Sequence, residues 1–349
     1  MTEYIPRRIK DTIKGVLASQ CFKPVLRRYS GCGSVLMYHR IVKGYASVGE
    51  FIPYGGLTVA VERFEEQIKQ VAACYRPISI EEAIFKLEKG KLHERSVVVT
   101  FDDGYRDNLT HALPVLERYR VPATIFVAPA LIDRVAPLWW YEIEECLKQL
   151  ARLSFDWQGK RYHWNLIEAK DKYKAADELD ALFKSLDFKS QLKLMDTIRG
   201  RMLRPARTDQ LLLSWEEIKE LDKHPLITIA AHTVNHAVLS RETTESLYFE
   251  LKQSKLRLEE ELKRPVNYMA YPYGTDNEVS WREFEATRQV GYRAAFTTRS
   301  GHLQAAHRKM PWALPRITVD CYDDKKSFLW KLKGVDSFLR SPASALVVH

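Results

Sequence analysis

Two adjacent carboxylates at the end of a hydrophobic run are the first residues of this sequence that could do chemistry. Asp102 and Asp103 directly follow residues 97–101, which read Val-Val-Val-Thr-Phe, and Gly104 comes next. An apolar run of this length that stops at a turn residue is typical of a strand buried on both faces. Two carboxylates at a dry strand end repel each other, and a bound cation would relieve that repulsion. Asp-Gly is also common turn chemistry, so one Asp could simply cap the next helix.

Two histidines four residues apart end a second apolar run. Residues 227–231 read Ile-Thr-Ile-Ala-Ala, and His232 and His236 follow them. Histidines at this spacing meet on one face of a helical turn and can hold a divalent metal. A zinc protease would place a glutamate after the first histidine, but Thr233 stands there, so the remaining ligands and a base must come from elsewhere. Asp102 and Asp103 are the obvious source.

A third apolar run, at residues 267–271, ends in Pro-Tyr-Gly at residues 272–274. This pattern predicts a rigid turn, and the backbone N–H of Tyr273 could donate to an oxyanion there. Pro and Gly are also sufficient reason for a plain turn. In a parallel sheet or barrel, active sites are built at the carboxyl ends of strands, where all three motifs would lie.

The elements that must position these residues alternate between strands and helices, as in βα units. Strands are predicted at residues 34–41, 77–80, 97–100, 123–127, 227–231, 267–271, 294–297 and 316–319, and helices at 58–73, 108–119 and 246–262, with a capped helix from Ser214. The alternation stops at residues 138–140. Residues 139–213 are charged and mostly helical, with one hairpin-like piece at 153–164, so they are predicted to be an insertion.

Composition bounds the class of protein. The chain has 349 residues, 46% of them hydrophobic and 28% charged, which is typical of a globular protein. No apolar run has the length of a membrane span, and residues 1–20 show no secretory signal. The five cysteines are scattered and form no Cys-x-x-Cys pair, which favours a reduced, cytoplasmic setting. The net charge of +9 suits an anionic partner, but no nucleic-acid motif is present, so no nucleic-acid partner is predicted.

Residues 1–30 are predicted to form a basic amphipathic arm. Apolar residues recur at helical spacing among basic residues from Arg7 to Arg28: Ile5, Ile9, Ile13 and Val16. Such a helix could make a peripheral contact with an anionic membrane, which for a cytoplasmic protein is the inner face. Packing on the main domain explains most amphipathic helices, and we favour it here.

Together the motifs resemble those of the polysaccharide deacetylases, also called the NodB-homology or carbohydrate esterase 4 family. Residues 100–105, 232–236 and 270–274 occur in the order of that family, and the likeness covers about residues 34–320 apart from the insertion. The resemblance implies an α/β fold, a distorted (β/α)7 TIM-like barrel made of residues 31–138 and 214–325. The arm, the mostly helical insertion and a C-terminal segment at 326–349 would complete the chain.

The resemblance also implies an activity. The family removes N-acetyl groups from sugars, so the expected substrate is an N-acetylated carbohydrate, either an amino-sugar glycan or an envelope-glycan precursor, cleaved at an amide bond. Asp103, His232 and His236 would hold a divalent metal, most simply Zn²⁺, with Co²⁺, Ni²⁺ or Mn²⁺ as other options. Asp102 would be the base for the attacking metal-bound water, and Tyr273 would bind the oxyanion.

The sequence departs from the family in two places. Ala270 stands where an arginine usually braces the base; Arg316, on a later strand end, could supply that charge or form only a surface ion pair. The family's Leu-x-His motif, which usually donates a general-acid histidine, is missing, and His302 and His307 fall in a predicted polar loop. His39, at the end of the first predicted strand, could be the acid, as in family members with circularly permuted motifs, or it could be a satisfied core histidine.

Two other functions stay open. A non-catalytic carbohydrate-binding protein on the same barrel would tolerate the missing arginine. A glycosidase needs two carboxylates roughly 5–9.5 Å apart across the scissile bond. The adjacent Asp102 and Asp103 would not straddle such a bond unaided.

Overall fold

Seven parallel strands close into a barrel, and helices cover its outer surface. The computed structural model describes Lys14, Gly15, Leu26, residues 29–44 and residues 51–340. Within these residues the strands are β1 (Ser34–Tyr38), β2 (Arg40–Val42), β3 (Thr58–Ala60), β4 (Arg76–Pro77), β5 (Ser96–Phe101), β6 (Ala123–Val127), β7 (Arg152–Trp157), β8 (Lys160–Asn165), β9 (Ile227–Ala231), β10 (Tyr268–Ala270), β11 (Ala294–Ser300) and β12 (Leu314–Thr318). The helices are α1 (Val61–Cys74), α2 (Ile80–Glu88), α3 (Leu113–Tyr119), α4 (Pro129–Ile132), α5 (Trp139–Gln149), α6 (Ala169–Lys184), α7 (Phe188–Arg199), α8 (Trp215–Lys223), α9 (Thr244–Leu262), α10 (Trp281–Val290), α11 (Lys325–Leu332) and α12 (Val335–Arg340).

The ring of strands runs β1-β5-β6-β9-β10-β11-β12 and returns to β1, and every neighbouring pair is parallel. This confirms the predicted (β/α)7 barrel. The barrel is distorted at β10, which has three residues and meets β9 at the single register pair Met269 and Ala231. The register also shifts between β11 and β12.

The two faces of the strands form two separate cores, because strand side chains alternate with a period of two. The ring of Phe126 on β6 lies 5.8 Å from the ring of Phe296 on β11. Since β6 and β11 are not neighbours in the ring, these side chains meet inside the barrel. Val35, Val98 and Leu314 belong to the same inner cluster. The intervening residues pack outward against the helices.

Two predicted elements differ from the structure near the site. The first predicted strand, residues 34–41, is interrupted at His39, and β2 pairs with β3 outside the barrel. The interruption is stabilised by Asp107, which accepts hydrogen bonds from the backbone N–H of Ile41 and the side chain of Arg40. The helix predicted at 58–73 begins at Val61, because the three residues before it form β3.

Between α4 and β9 the chain leaves the barrel and forms α5, the β7-β8 hairpin, α6 and α7. Gln158 and Gly159 turn the hairpin with φ values of 50° and 76°, as a two-residue turn between strands requires. The returning segment binds the barrel rim, where the N–H of Leu213 donates to the carbonyl of Gly104. The predicted limits of the insertion and of the terminal segments stay a prediction.

Most of the predicted basic arm lies outside the described residues. The described part packs against the last two helices: Lys14 forms a 2.7 Å ion pair with Asp336, and the ring of Tyr29 lies 5.1 Å from that of Phe338. Leu26 is buried in the same small cluster. Across the described ranges, no helix combines the length and the apolar character that crossing a bilayer requires.

Candidate active site

The pairing of β1 with β5 fixes the position of two predicted site residues. Tyr38, the last residue of β1, is in register with Phe101, the last residue of β5. His39 and Asp102 come next on the two strands, so both stand at the carboxyl rim of the barrel. Nε2 of His39 lies 4.0 Å from an oxygen of Asp102, and 15% of the His39 side chain is exposed. His39 is therefore placed beside Asp102 with access to solvent.

Arg316 lies inside the barrel and binds Asp102 through both carboxylate oxygens. Leu314 and Val98 face inward, so the alternation of strand residues turns Arg316 and Asp102 inward as well. Nη1 donates to Oδ1 and Nη2 to Oδ2, each over 2.7 Å. Burial acts to raise the pKa of Asp102, but Arg316, through its charge and hydrogen bonds, and the neighbouring His232 and His39 together outweigh it and hold that pKa below its usual value. Arg316 is fully buried in the middle of β12, so it forms no surface ion pair and does not lie at the strand end.

The turn after β5 aims Asp103 at the two histidines that follow β9. Asp103 and Gly104 both have a φ of 72°, which reverses the chain at the end of the strand. Oδ1 of Asp103 lies 3.4 Å from Nε2 of His232 and 3.2 Å from Nε2 of His236. The structure therefore brings together the three residues that were predicted to be ligands.

Each imidazole points Nε2 at Asp103 and makes a hydrogen bond through Nδ1, on the opposite side of the ring, which orients the ring. Nδ1 of His232 lies 2.8 Å from the carbonyl oxygen of Ala270. Because a carbonyl only accepts, Nδ1 carries the proton, and a neutral ring then aims its Nε2 lone pair at Asp103. Nδ1 of His236 lies 3.2 Å from the hydroxyl of Tyr273. Burial lowers the pKa of His236, although Asp103 opposes this.

Asp103, His232 and His236 fit a divalent metal. Oδ1 of Asp103 is buried without a hydrogen-bond partner in the described part of the chain, although Nε2 of both histidines faces it. Two ligands of a tetrahedral zinc ion, each at about 2.0–2.1 Å, lie roughly 3.3–3.4 Å apart, close to the separations found here. Burial acts to raise the pKa of Asp103, but His236 and His232 outweigh it and hold that pKa well below its usual value. Three protein ligands leave a position open, as in catalytic zinc sites.

Tyr273 has two polar groups at the site. Its backbone N–H, at a φ of 61°, has no hydrogen-bond partner among the described residues, so it can donate to a ligand. Its hydroxyl contacts His236 and accepts a 2.9 Å hydrogen bond from Nε1 of Trp139. The ring of Trp140 lies 5.0 Å from that of His236. The first helix of the predicted insertion, α5, thus forms one wall of the site.

His302 and His307 lie away from the site. Both were expected in a polar loop, and both are buried. Nδ1 of His302 lies 3.0 Å from the hydroxyl of Ser34, which begins β1, so His302 lies at the amino end of the barrel, opposite His39. The predicted loop is present between β11 and β12, but its two histidines are buried. The segment pairs with the chain just before β1, and His302 contacts the carbonyl of Lys331 on α11.

Four residues of the site have a left-handed backbone. Asp103, Thr233, His236 and Tyr273 have φ values between 58° and 72°. A non-glycine residue in this region costs of order 1–3 kcal/mol and persists only where its surroundings hold it. Such strain gathers at functional sites. Here it occurs in the segments that follow β5, β9 and β10, which supports a functional role for them.

The family model for polysaccharide deacetylases matches residues 89–295, more than half of the chain. The chain belongs to the polysaccharide deacetylase family. This confirms the predicted family and the predicted enzyme class, a deacetylase that hydrolyses an amide bond. The match includes both strand-end motifs and the Pro-Tyr-Gly turn, whereas His39 and Arg316 lie outside it.

Individual relatives are distant. YxkH of Bacillus subtilis (strain 168), whose assignment as a polysaccharide deacetylase is itself provisional, is 24% identical over 287 residues, which cover 82% of this chain and 70% of that protein. The poly-beta-1,6-N-acetyl-D-glucosamine N-deacetylase of Staphylococcus aureus (strain MSSA476) is 31% identical over 102 residues, which cover 26% of this chain and 34% of that protein. The match therefore spans about a third of the staphylococcal enzyme.

Solved structures of deacetylases share the fold. The Streptococcus pyogenes deacetylase PplD, in complex with acetate, superposes with a TM-score of 0.58 at 20% identity and covers 86% of this chain and 97% of that one. A de-N-acetylase from Aggregatibacter actinomycetemcomitans gives a TM-score of 0.54 at 16% identity, with 86% of this chain and 99% of that one covered. At these identities the likeness establishes the barrel fold.

The sequence analysis missed two residues that contact the site residues. Trp139 was read only as the start of an insertion, and nothing local predicts that its indole reaches Tyr273. Glu250, on α9, contacts the turn between the two histidines. A signal for it exists: Glu250 lies three residues after Leu247 and four before Ser254, both fully buried, so the helix carries a charge on its buried face.

Proposed function

We propose that this protein is a metal-dependent deacetylase that removes N-acetyl groups from an amino-sugar glycan or from a precursor of an envelope glycan. The observation that carries the proposal is the convergence of Asp103, His232 and His236 beside Asp102, whose charge is stabilised by Arg316. Family membership supplies the amide-hydrolysing class. The metal dependence and the N-acetylated substrate are proposals.

Each residue at the metal side of the site has its own task. Asp103, His232 and His236 would hold the cation, for which Zn²⁺ is the simplest choice, while Co²⁺, Ni²⁺ and Mn²⁺ suit similar ligands. When bound, such a cation lowers the pKa of a water ligand and polarises the acetyl carbonyl. Asp102, kept ionised by Arg316, would take the proton of the attacking water.

Two further groups would act as the amide bond breaks. The N–H of Tyr273 would donate to the oxygen on which negative charge develops. His39, when protonated, would give its proton to the leaving nitrogen. Without that proton the nitrogen would have to leave as a strongly basic anion, which is a poor leaving group. His39 and Asp102 follow neighbouring strands, so an acid and a base would stand side by side at the rim.

A carbohydrate-binding protein without turnover is less well supported. That alternative rested on Ala270, which stands where the family usually has an arginine. The guanidinium of Arg316 reaches Asp102 from β12, and the carbonyl of Ala270 accepts a hydrogen bond from Nδ1 of His232 instead. Both contacts weaken the reason for expecting an inactive site.

The substrate is proposed to be an N-acetylated carbohydrate. The name of the staphylococcal relative specifies a polymer of N-acetylglucosamine, and PplD was crystallised with acetate, the acid that deacetylation releases. If the predicted cytoplasmic location holds, an envelope-glycan intermediate carried on a nucleotide or a lipid phosphate is the better candidate than a finished polymer. Trp140 of α5 lies beside His236, which supports the proposal that the insertion covers the bound sugar.

The experiment that tests the proposal joins metal analysis to acetate release. Chelation should abolish acetate release from N-acetylated oligosaccharides, nucleotide sugars or lipid-linked precursors, and added Zn²⁺ or Co²⁺ should restore it. His232→Ala should lose metal and activity together, whereas His163→Ala, at an exposed position of β8, should keep both. Full metal content and activity in His232→Ala would contradict the assignment.

A further inference from the structure

A buried carboxylate on α9 binds the turn between the two histidines. Glu250 is 3% exposed. Its Oε2 accepts hydrogen bonds from the backbone N–H groups of Val234 and Asn235, both over 2.9 Å, and its Oε1 accepts one from the Asn235 side chain over 2.6 Å. These three N–H groups are the hydrogen-bond donors to this carboxylate. In the described part of the chain no cationic side chain forms an ion pair with it.

The turn needs such a partner. Thr233 and His236 both have left-handed backbones, with φ values of 60° and 58°. A conformation of this kind persists only if surrounding contacts hold it. Successive backbone N–H groups in such a turn point to one side and form a concave site for an anion. Glu250 supplies the anion from a different element, so the shape of the turn depends on α9.

The shape of the turn decides where the metal-ligating nitrogens stand. His232 and His236 lie on either side of the two residues that Glu250 binds, Val234 and Asn235. Their Nε2 atoms lie 3.4 and 3.2 Å from Oδ1 of Asp103. Glu250 hydrogen-bonds to neither imidazole, so it acts on them through the backbone. Outer partners that orient metal ligands typically change metal affinity by about 10–100-fold.

We propose that Glu250 is a positioning residue for the metal: by holding Val234 and Asn235 it fixes the separation of His232 and His236 and so sets the affinity of the site for a divalent cation. This inference rests on the proposed metal dependence. Glu250 lies outside the strand-end motifs in the sequence, on α9, but contacts one of them in the fold.

The test measures Zn²⁺ affinity of the full chain by competition with a chromophoric chelator at pH 7.5, together with the visible spectrum of the Co²⁺-substituted protein. Glu250→Gln should weaken Zn²⁺ binding by about 10–100-fold and alter the Co²⁺ spectrum. Glu283→Gln is the matched control, because Glu283, on α10, is 1% exposed and accepts hydrogen bonds from Ser280, the residue before that helix, away from the ligand turn. This control should leave affinity and spectrum unchanged even if it lowers thermal stability.

A milder variant keeps the test decisive if Glu250→Gln folds poorly. Asn235→Ala removes the donor to Oε1 of Glu250 and leaves the two backbone donors to Oε2 in place, so it should weaken Zn²⁺ binding by a smaller factor. An unchanged affinity in both variants would overturn the inference. A loss confined to Glu250→Gln would assign the effect to charge alone and would also overturn positioning. Wild-type protein that binds no metal would instead overturn the proposed function, so the two failures are distinguishable.

Discussion

Arg316 and Asp102 form a two-point ion pair inside the barrel, with both nitrogen–oxygen distances at 2.7 Å. The guanidinium is held on its other sides as well: Nε donates to the carbonyl of Thr297, and the group lies 5.5 Å from the ring of Phe126. The pair is therefore built into the interior and is shielded from solvent. Losing one member would leave the other charge buried without a partner, which typically costs about 3–5 kcal/mol.

Arg316→Met should destabilise the protein by about 3–5 kcal/mol in urea unfolding and move the acidic limb of the pH–rate profile to higher pH. Without the guanidinium, the charge and the hydrogen bonds of Arg316 no longer lower the pKa of Asp102, while burial, the largest influence, still raises it. Because the pKa is lowered in the folded wild type, the pair stabilises the protein above the unfolded value of about 3.9, and this contribution is lost as pH falls through the folded value.

The matched control for this prediction is the double variant Arg316→Met with Asp102→Asn. It removes both charges, so it should cost less free energy of unfolding than the sum of the two single variants. An acidic limb that does not move in Arg316→Met would show that Asp102 is not the group that titrates there.

Asp102 and Asp103 should differ in what their loss removes, although they are adjacent in sequence. Asp102→Asn should keep much of the metal and lose about 10²–10⁴-fold in turnover, the usual range for a general base. Asp103→Asn should lose metal and turnover together, because its Oδ1 faces both histidines. Metal content by mass spectrometry and acetate release on the same samples separate the two results. Equal metal loss in both variants would mean that the division of roles is wrong.

The part of the site that the sequence could predict is local to strand ends. Asp102, Asp103, His232 and His236 each lie within five residues of a strand end, and the carboxyl ends of parallel strands share one rim, so a buried-strand pattern was enough to bring them together.

For residues that contact each other across the barrel, the sequence offered candidates but could not predict their positions. Arg316 lies 214 residues from Asp102, and their contact requires β12, β1 and β5 to be neighbours in a closed ring. The sequence left Arg316 either as the charge that braces Asp102 or as a surface ion pair, and only the closure of the ring decides for the interior contact. Glu250 was missed because α9 is rich in Glu and Lys, so a further glutamate is easily taken for a solvent-facing residue. Its helical spacing from the buried residues of α9 is what places it on the buried face.

His39→Ala should flatten the alkaline limb of the pH–rate profile and depress turnover while the metal stays bound, because that limb reports loss of the proton that a general acid donates. The control is His111→Ala: His111 is also half-buried, and it contacts the carbonyl of Ile41 and not Asp102. That variant should retain the wild-type profile. An unchanged profile in His39→Ala would return His39 to a packing role, and another proton donor would have to be found.

His302 and His307 should make the protein less stable as the pH falls below neutrality. Burial lowers the pKa of each to about 4, whereas an unfolded histidine titrates near 6.5. Between these values the unfolded chain binds more protons than the folded one. Each histidine therefore lowers the free energy of unfolding by up to about 1.4 kcal/mol per pH unit as pH falls from roughly 6.5 to 4.

Urea unfolding between pH 7 and pH 4.5 measures this slope. His302→Gln and His307→Gln should each make it shallower, even if they lower stability at pH 7. His163→Gln serves as the control, because its exposed side chain has a similar environment in both states and its loss should leave the slope unchanged. Slopes identical to wild type in the two buried-site variants would refute the prediction.

The basic arm gives the last prediction, which decides between packing and membrane contact. Lys14, Leu26 and Tyr29 contact the C-terminal helices, which supports packing for that part of the arm. Arg7, Arg8 and Lys10 lie outside the described residues, and each basic residue near an anionic leaflet contributes about 1 kcal/mol. If they bind a membrane, the full chain should float with anionic vesicles at low salt and be released at high salt. Replacing these three by Gln should abolish flotation, whereas the same change at the exposed Lys170, Lys174 and Lys189 should not. Wild-type protein that stays in the soluble fraction at low salt would refute membrane contact, leave packing as the role of the arm, and make a soluble sugar the better substrate candidate.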